Sequence, residues 1–300
     1  MNTPYPLSIL SRLLLAVAMT LLLAFNWGCN QRPSPTGQPS PFLAGLVPGQ
    51  ALIHRGVFSN DLQQYYTTVS DTAFEHFQVL VSHRTAQGWG KPQPAFFNSP
   101  YNDHGMSFSP NGQTLVFSST RPVGDATTAG TWQLWRCQKR GGQWGAPEHV
   151  PIPNLAGKLV SHPTLAPDGT LYFHASAPDY TGMAIYMAPL ENGQYQAAQK
   201  VALQVPHAIG YCTPFVAANG AYLLFAAIGS GLELYVCPNN GQGQWLAPIK
   251  LPAAINTNGQ GNPYLTPDLQ QLLYASENKT TGQWQINSVG TASFLGQAPK

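Results

Sequence analysis

Charge is scarce in this 300-residue chain. Lys, Arg, Asp and Glu together make up 9% of it, and the net charge is +2. An average soluble protein carries about 25% charged residues, so surface polarity here must come from Gln, Asn, Ser and Thr. No run of like charge occurs, and no basic face argues for nucleic acid, so no nucleic-acid partner is expected. Long amphipathic helical patterns are missing too. So are the compact catalytic signatures: no Gly-x-Ser-x-Gly elbow, no His-Glu-x-x-His, no phosphate-binding glycine loop and no Ser-x-Asp-x-Gly-x-Thr-Trp box. The expectation is therefore a protein without catalytic residues and without a cofactor.

What is present begins with an apolar run, Leu13 to Phe25, preceded by Arg12 and followed by Gly28-Cys29. Thirteen residues are too few for a membrane span and suit the core of a secretion signal. The ending resembles a bacterial lipobox, although Asn26 and Trp27 stand where aliphatic and small residues are usual. Residues 1–29 are read as a signal peptide with Cys29 as the lipidated first mature residue. Residues 30–42, rich in Pro, Ser and Gly, read as an extended tether. The expectation is an exported bacterial lipoprotein, periplasmic or anchored to the outer membrane, that touches membrane only through its lipid. Cys137, Cys212 and Cys237 leave an odd thiol, which favours three buried small side chains over a disulfide.

The remainder is repetitive. Ser107-Phe108-Ser109-Pro110-Asn111-Gly112-Gln113-Thr114-Leu115-Val116-Phe117-Ser118-Ser119 reads as strand, tight turn, strand: Pro presets φ and Asn-Gly tolerates positive φ. Copies open at Ser59, Ala166, Ala217 and Thr266, close to 50 residues apart. Each continues into another apolar strand (Phe77–Val81, Trp132–Arg136, Ala184–Met187, Leu232–Val236), and three then carry a Trp-containing segment at Trp89, Trp144 and Trp245. Four short strands in each unit of about 50 residues is the pattern of a propeller blade. Residues 107–119 and 164–176 resemble the WD40-like PD40 repeats of TolB-type propellers, over roughly residues 45–290. The resemblance implies an all-β, single β-propeller domain at 43–300, with repeats near 54–98, 104–152, 161–204, 211–252 and 261–290. Five blades fit best, with six as the alternative. Trp284–Val289 aligns with Trp132–Cys137 as a third strand, which leaves the last blade short of its outer strand. Leu43–Gly49 is expected to supply it, closing the ring and removing a sheet edge.

In such a repeat the strand before the turn lines the central channel, and the residues that open it sit near a channel mouth. One column there reads His54, His104, Ser161, Cys212, Gly261, and the next reads Arg55, Gly105, His162, Thr213, Asn262. The candidate ligand-binding residues are His54, Arg55, Asp103, His104, His162 and Cys212. They fit either a small-ligand or metal site or the polar lining of a water-filled channel, and no compact metal motif supports assigning a metal. The leading functional expectation is a non-catalytic binding or scaffold propeller of the cell envelope, with an envelope protein, small ligand or glycan as partner. The alternative is a carbohydrate-active or sugar-binding propeller with its site at one channel mouth. The Trp columns are expected to pack between blades, and the insertion at 120–131 is a candidate binding loop.

Overall fold

The computed structural model describes residues 37–47, 49, 51–124, 131–257 and 259–295. The signal-like segment, Cys29, most of the tether and residues 125–130 of the long loop lie outside the described residues.

Each tight turn does what its sequence dictates. Ser109 N–H donates to Thr114 O at 2.8 Å, Gly112 N–H to Ser109 O at 2.8 Å, and Asn111 Oδ1 accepts Gln113 N–H at 3.0 Å. Gly112 adopts φ 66°, and Leu62 and Leu269 hold the same turn position at φ 58°. Two leucines tolerate this left-handed conformation because their side chains pack against the main core.

The turns organise five antiparallel sheets, each ordered from the axis outward. Blade 1 comprises Leu52–Phe58, Gln64–Ser70, Phe77–Thr85 and Gln93–Pro94. Blade 2 comprises Asp103–Phe108, Thr114–Ser119, Gln133–Arg140 and Glu148–His149. Blade 3 comprises Leu159–Leu165, Leu171–Ser176, Ala184–Ala188 and Gln199–Lys200. Blade 4 comprises Gly210–Val216, Tyr222–Ile228, Leu232–Pro238 and Ile249–Lys250. Blade 5 comprises Gly261–Leu265, Gln271–Glu277 and Trp284–Gly290, completed by Ser40–Pro41. The fold is thus a five-bladed β-propeller.

Closure by an N-terminal strand is as expected, but the strand lies upstream of 43–49, inside the segment read as tether. Ser40 pairs with Ser288 and Pro41 with Asn287, and Phe42 N–H donates to Ile286 O at 2.8 Å. Phe42 fixes this register by packing edge-on against Phe58 and Tyr65, with ring centroids 5.9 and 5.5 Å apart. Pro41 is compatible because it lies on an outermost strand. The Trp-containing segments precede the outer strands. Gln143–Trp144 folds back on Arg140 and Lys139 as a hairpin tip, and Glu148–His149 forms the blade edge.

The second strands are buried on both faces. Leu115, Leu171, Leu223 and Leu272 occupy matching positions at 0% exposure, as do Phe117, Phe173 and Phe225. Neighbouring blades cover both sides of such a strand, so alternation of residue type no longer means alternation of burial. Asn98, Asn154 and Asn256 act as repeated clamps. The Asn98 amide accepts Val79 N–H at 3.2 Å and donates to Val79 O at 2.8 Å, and Asn256 does the same to Leu234 at 2.7 and 3.1 Å. Cys137, Cys212 and Cys237 are buried free thiols, and burial pushes each up to about 12. None of the three is poised as a thiolate nucleophile.

Candidate functional site

The inner strands do not run straight to the channel mouth. All five are bulged against the second strand: between Ile53 and Arg55, His104 and Ser107, Ser161 and Thr164, Cys212 and Phe215, and Gly261 and Tyr264. A bulge adds a residue and re-aims the side chains around it. In four blades the bulge contains a left-handed residue: Gly105 (φ 62°), His162 (54°), Thr213 (47°) and Asn262 (53°). Three of these carry side chains, and Thr is β-branched, so the backbone here is held against its own preference by the surroundings. At Gly105 a Cβ would come 3.2 Å from His162 Cα, so a side chain there would have to push His162 aside.

The bulges bring the second column together around the axis. Gly105 abuts His162, Asn262 N–H donates to Thr213 Oγ1 at 3.3 Å, and Thr213 N–H donates to His174 Nδ1 at 3.1 Å. Above this ring, on the side away from the turns, a cavity of about 430 Å³ opens. Its floor is His104, Ser161, His162 and His174; Phe77 and Trp132 line its wall, and Phe74 and Tyr180 stand at its rim. The rim rings are 50% and 60% exposed.

The floor is tightly connected. Ser161 Oγ lies 2.9 Å from His104 Nε2, 3.0 Å from His162 Nδ1 and 3.2 Å from Ser118 Oγ. The His104 and His162 ring centroids are 4.5 Å apart, and His162 stacks on His174 at 4.8 Å. Trp132 covers His104 at 3.9 Å. Because His174 Nδ1 accepts the Thr213 N–H, its proton sits on Nε2, which makes it a hydrogen-bond donor in the cavity floor. Burial, together with the neighbouring His174 and Arg55, holds the His104 imidazole well below its ordinary range. Burial likewise holds His162 well below, with His104, His174 and Arg55 adding to it. Burial and Arg55 bring His174 to about 3, and burial brings His54 to about 4. All four rings are neutral at pH 7.

Of the residues singled out from sequence, the structure brings His104 and His162 into the floor and places Arg55 at the axis. Arg55 is 1% exposed, and its charge acts on three histidine rings from blades 2 and 3 besides Tyr264 of blade 5. His54 lies beside the cavity: its Nε2 is 2.7 Å from Ser70 Oγ, and its ring packs on Phe74 and Phe77. Asp103 belongs to a separate corner. Its Oδ1 takes Arg121 Nη2 at 2.6 Å and its Oδ2 accepts Ser99 N–H and Ser99 Oγ–H at 2.6 and 2.8 Å. Cys212 is buried and does not line the cavity.

His174, Trp132, Phe74 and Tyr180 were not candidates from sequence. His174 was within reach of reasoning, since it lies directly across from Ser161 in the ladder. Trp132 sits in a column that sequence assigned to packing, and it does pack, but on a cavity wall. Trp245 and Tyr172 meet across blades 4 and 3, with ring centroids 5.9 Å apart, as that assignment expects. Among the described residues no group of three His, Cys, Asp or Glu side chains is arranged to hold a metal ion.

No family model matches the sequence, and no curated protein matches it. Solved structures match its fold. A thermostable family-43 glycoside hydrolase is 12% identical over 81% of this chain and 90% of its own, with a TM-score of 0.51. A protein of unknown function from Dyadobacter fermentans is 10% identical over 84% and 96%, with a TM-score of 0.50. TolB from Acinetobacter baumannii is 14% identical over 81% of this chain, which spans 55% of the TolB chain, with a TM-score of 0.47. At these identities the likeness is one of fold. The chain is a five-bladed β-propeller, an architecture that hosts both binding proteins and enzymes.

Proposed function

We propose that the protein is a non-catalytic binding propeller of the bacterial envelope that takes a small ligand in the mouth cavity. The observation that carries this reading is the cavity itself: a preformed hollow of about 430 Å³ with a polar floor, His104, Ser161, His162 and His174, beneath exposed aromatic rings. Apolar walls with a few convergent polar groups are the usual make-up of a small-molecule site. Strained bulge residues at the floor add support, because such conformations concentrate where a fold is built around a ligand.

Binding fits better than catalysis. Among the described residues no carboxylate lines the cavity, so the paired acids of glycoside hydrolysis have no counterpart there. Ser161 has one hydroxyl proton and three neighbours competing for it, which makes it a hub of the floor rather than an activated nucleophile. A sugar is the second reading, favoured by the rings of Phe74 and Tyr180 flanking a polar floor. The envelope assignment rests on the Leu13–Phe25 run and Gly28-Cys29. It predicts that Cys29→Ala moves the protein from the membrane fraction to the soluble fraction.

The test is saturation-transfer NMR against a library of small organic acids and saccharides, repeated on a Phe74→Ala/Tyr180→Ala double variant. Hits that weaken at least tenfold in the double variant support the reading. A library without hits, or hits indifferent to the rim, would contradict it.

A further inference from the structure

One group near this cavity is not explained by packing. Arg55 is fully enclosed, yet its Nε, Nη1 and Nη2 have no hydrogen-bond partner among the described residues. It is not alone. Thr68 Oγ1, Gln260 Nε2 and Asn262 Oδ1 are buried and unpartnered as well. These groups belong to one neighbourhood. Thr68 is the cross-strand partner of Arg55 and shares its face of the sheet. Asn262 occupies the column of Arg55 in the adjoining blade 5, and Gln260 leads into that same strand. Burial lowers the guanidinium to about 10, so it remains charged at pH 7.

A buried cation is strongly unfavourable unless an opposite charge accompanies it. The chain supplies none among its described residues. Asp103, the one buried acid among them, is held by Arg121 and Ser99. Glu148 pairs with Arg136, Glu233 with Lys250, and Asp71 with His76, all at the surface. Asp61, Asp168 and Asp268 cap the tight turns at the far end of the blades. The histidines that feel its charge, His104, His162 and His174, are neutral, so nothing there cancels its field.

We infer that the mouth cavity selects an organic anion, a carboxylate with a ring or apolar body, whose negative end rests on the histidine floor above Arg55. The inference rests on the proposed ligand cavity and names its ligand class. The His174 Nε2–H donates to the carboxylate, and the unneutralised guanidinium behind the floor supplies the attraction. An uncancelled unit charge in a low-dielectric interior is enough for a tenfold to thirtyfold preference, about 1.4–2 kcal/mol. The body of the ligand lies against Trp132 and between Phe74 and Tyr180. A cavity of about 430 Å³ is far larger than a single inorganic ion needs, which is why an organic anion is favoured over chloride or phosphate.

The experiment is a thermal-shift and calorimetric titration of the intact protein with benzoate, acetate, inorganic phosphate, glucose and galactose in a chloride background at constant ionic strength. It is repeated on Arg55→Met, Arg55→Lys, His174→Phe and, as a surface-charge control, Arg140→Met. Benzoate is expected to bind best, acetate weakly and the sugars least. Arg55→Met is expected to lose tenfold or more, Arg55→Lys to keep most of the affinity, and Arg140→Met to match the unaltered protein. Should Arg55→Met fail to fold, loss of benzoate affinity in His174→Phe with retention in Arg55→Lys supports the anion site equally. Sugars binding while the anions do not would overturn the anion inference and leave the cavity reading standing. Phosphate binding with no response to benzoate would overturn the organic class. No binding by any probe would overturn both.

Discussion

Two arginines lie inside this propeller, and their surroundings are opposites. Arg121 sits in the corner between blades 1 and 2. It donates to Asp103 Oδ1 at 2.6 Å, Phe97 O at 2.8 Å and Ser119 Oγ at 2.9 Å, and it lies over the rings of Phe117 and Trp135. Arg55 sits on the axis with its whole guanidinium unpartnered among the described residues. The first arrangement is what a folded chain does with a charge it needs for architecture: its donors are answered from within. The second leaves a charge for something else to answer. The contrast separates the part of the interior that holds the blades together from the part that faces a ligand.

The two regions should respond differently to mutation. The largest effect is expected at the satisfied corner. Asp103→Ala strands Arg121 as an uncompensated buried charge and should cost about 3–5 kcal/mol in urea-induced unfolding. A loss under about 1 kcal/mol would remove the corner's structural role. Next is acid sensitivity. His54, His104, His162 and His174 are held neutral in the fold below the unfolded value of about 6.5. The unfolded chain therefore binds more protons as pH falls through 6.5 toward 3–4. Stability should be flat above about pH 7 and drop below 6.5 by about 1.4 kcal/mol per pH unit for each histidine. His174→Phe should make that slope shallower. The carboxylates with lowered values, Asp61, Asp71 and Asp179, act only below the ordinary carboxylate range. In the window between 4 and 6.5 the floor's His104, His162 and His174 act together with His54 beside it and with His149, which burial also lowers. Asn60→Ala removes the bonds from its Nδ2 to Ser109 O and Pro110 O that join two tight turns. It should cost about 1–2 kcal/mol with no effect on binding. Smallest is Arg55→Met without ligand, expected to lie between neutral and about 2 kcal/mol more stable, because an unpaired buried charge is exchanged for an apolar stem. If it destabilises as much as Asp103→Ala, Arg55 is a structural group and the comparison collapses.

Much of the architecture was legible in the residues. The turns at Ser59, Ser109, Ala166, Ala217 and Thr266 are local chemistry, so their count pointed to five blades with six left open, and Trp284–Val289 took its place as a third strand by simple alignment. The closing strand was misplaced by a few residues because its register depends on Phe42 finding Phe58 and Tyr65, a contact between the two ends of the ring. At the mouth, the columns led to Arg55, His104 and His162 because inner strands converge. They said nothing of His174, which comes from a second strand and is turned to the floor by the bulge between Ser161 and Thr164. Nor did they reveal Phe74 and Tyr180, which owe their place to left-handed loop residues, φ 59° and 64°, that no repeat pattern encodes. The isolation of Asp103 and the orphaning of Arg55 are facts of pairing, and pairing appears only once the chain is folded.

The most direct test of an anion site above Arg55 is a crystal of the intact protein grown with 4-bromobenzoate and measured at the bromine absorption edge. One strong anomalous peak is expected between Phe74, Trp132 and Tyr180, with the carboxylate turned down onto His174 and His162 above Arg55. Anomalous peaks only outside the mouth cavity, or none at a saturating concentration, would contradict it.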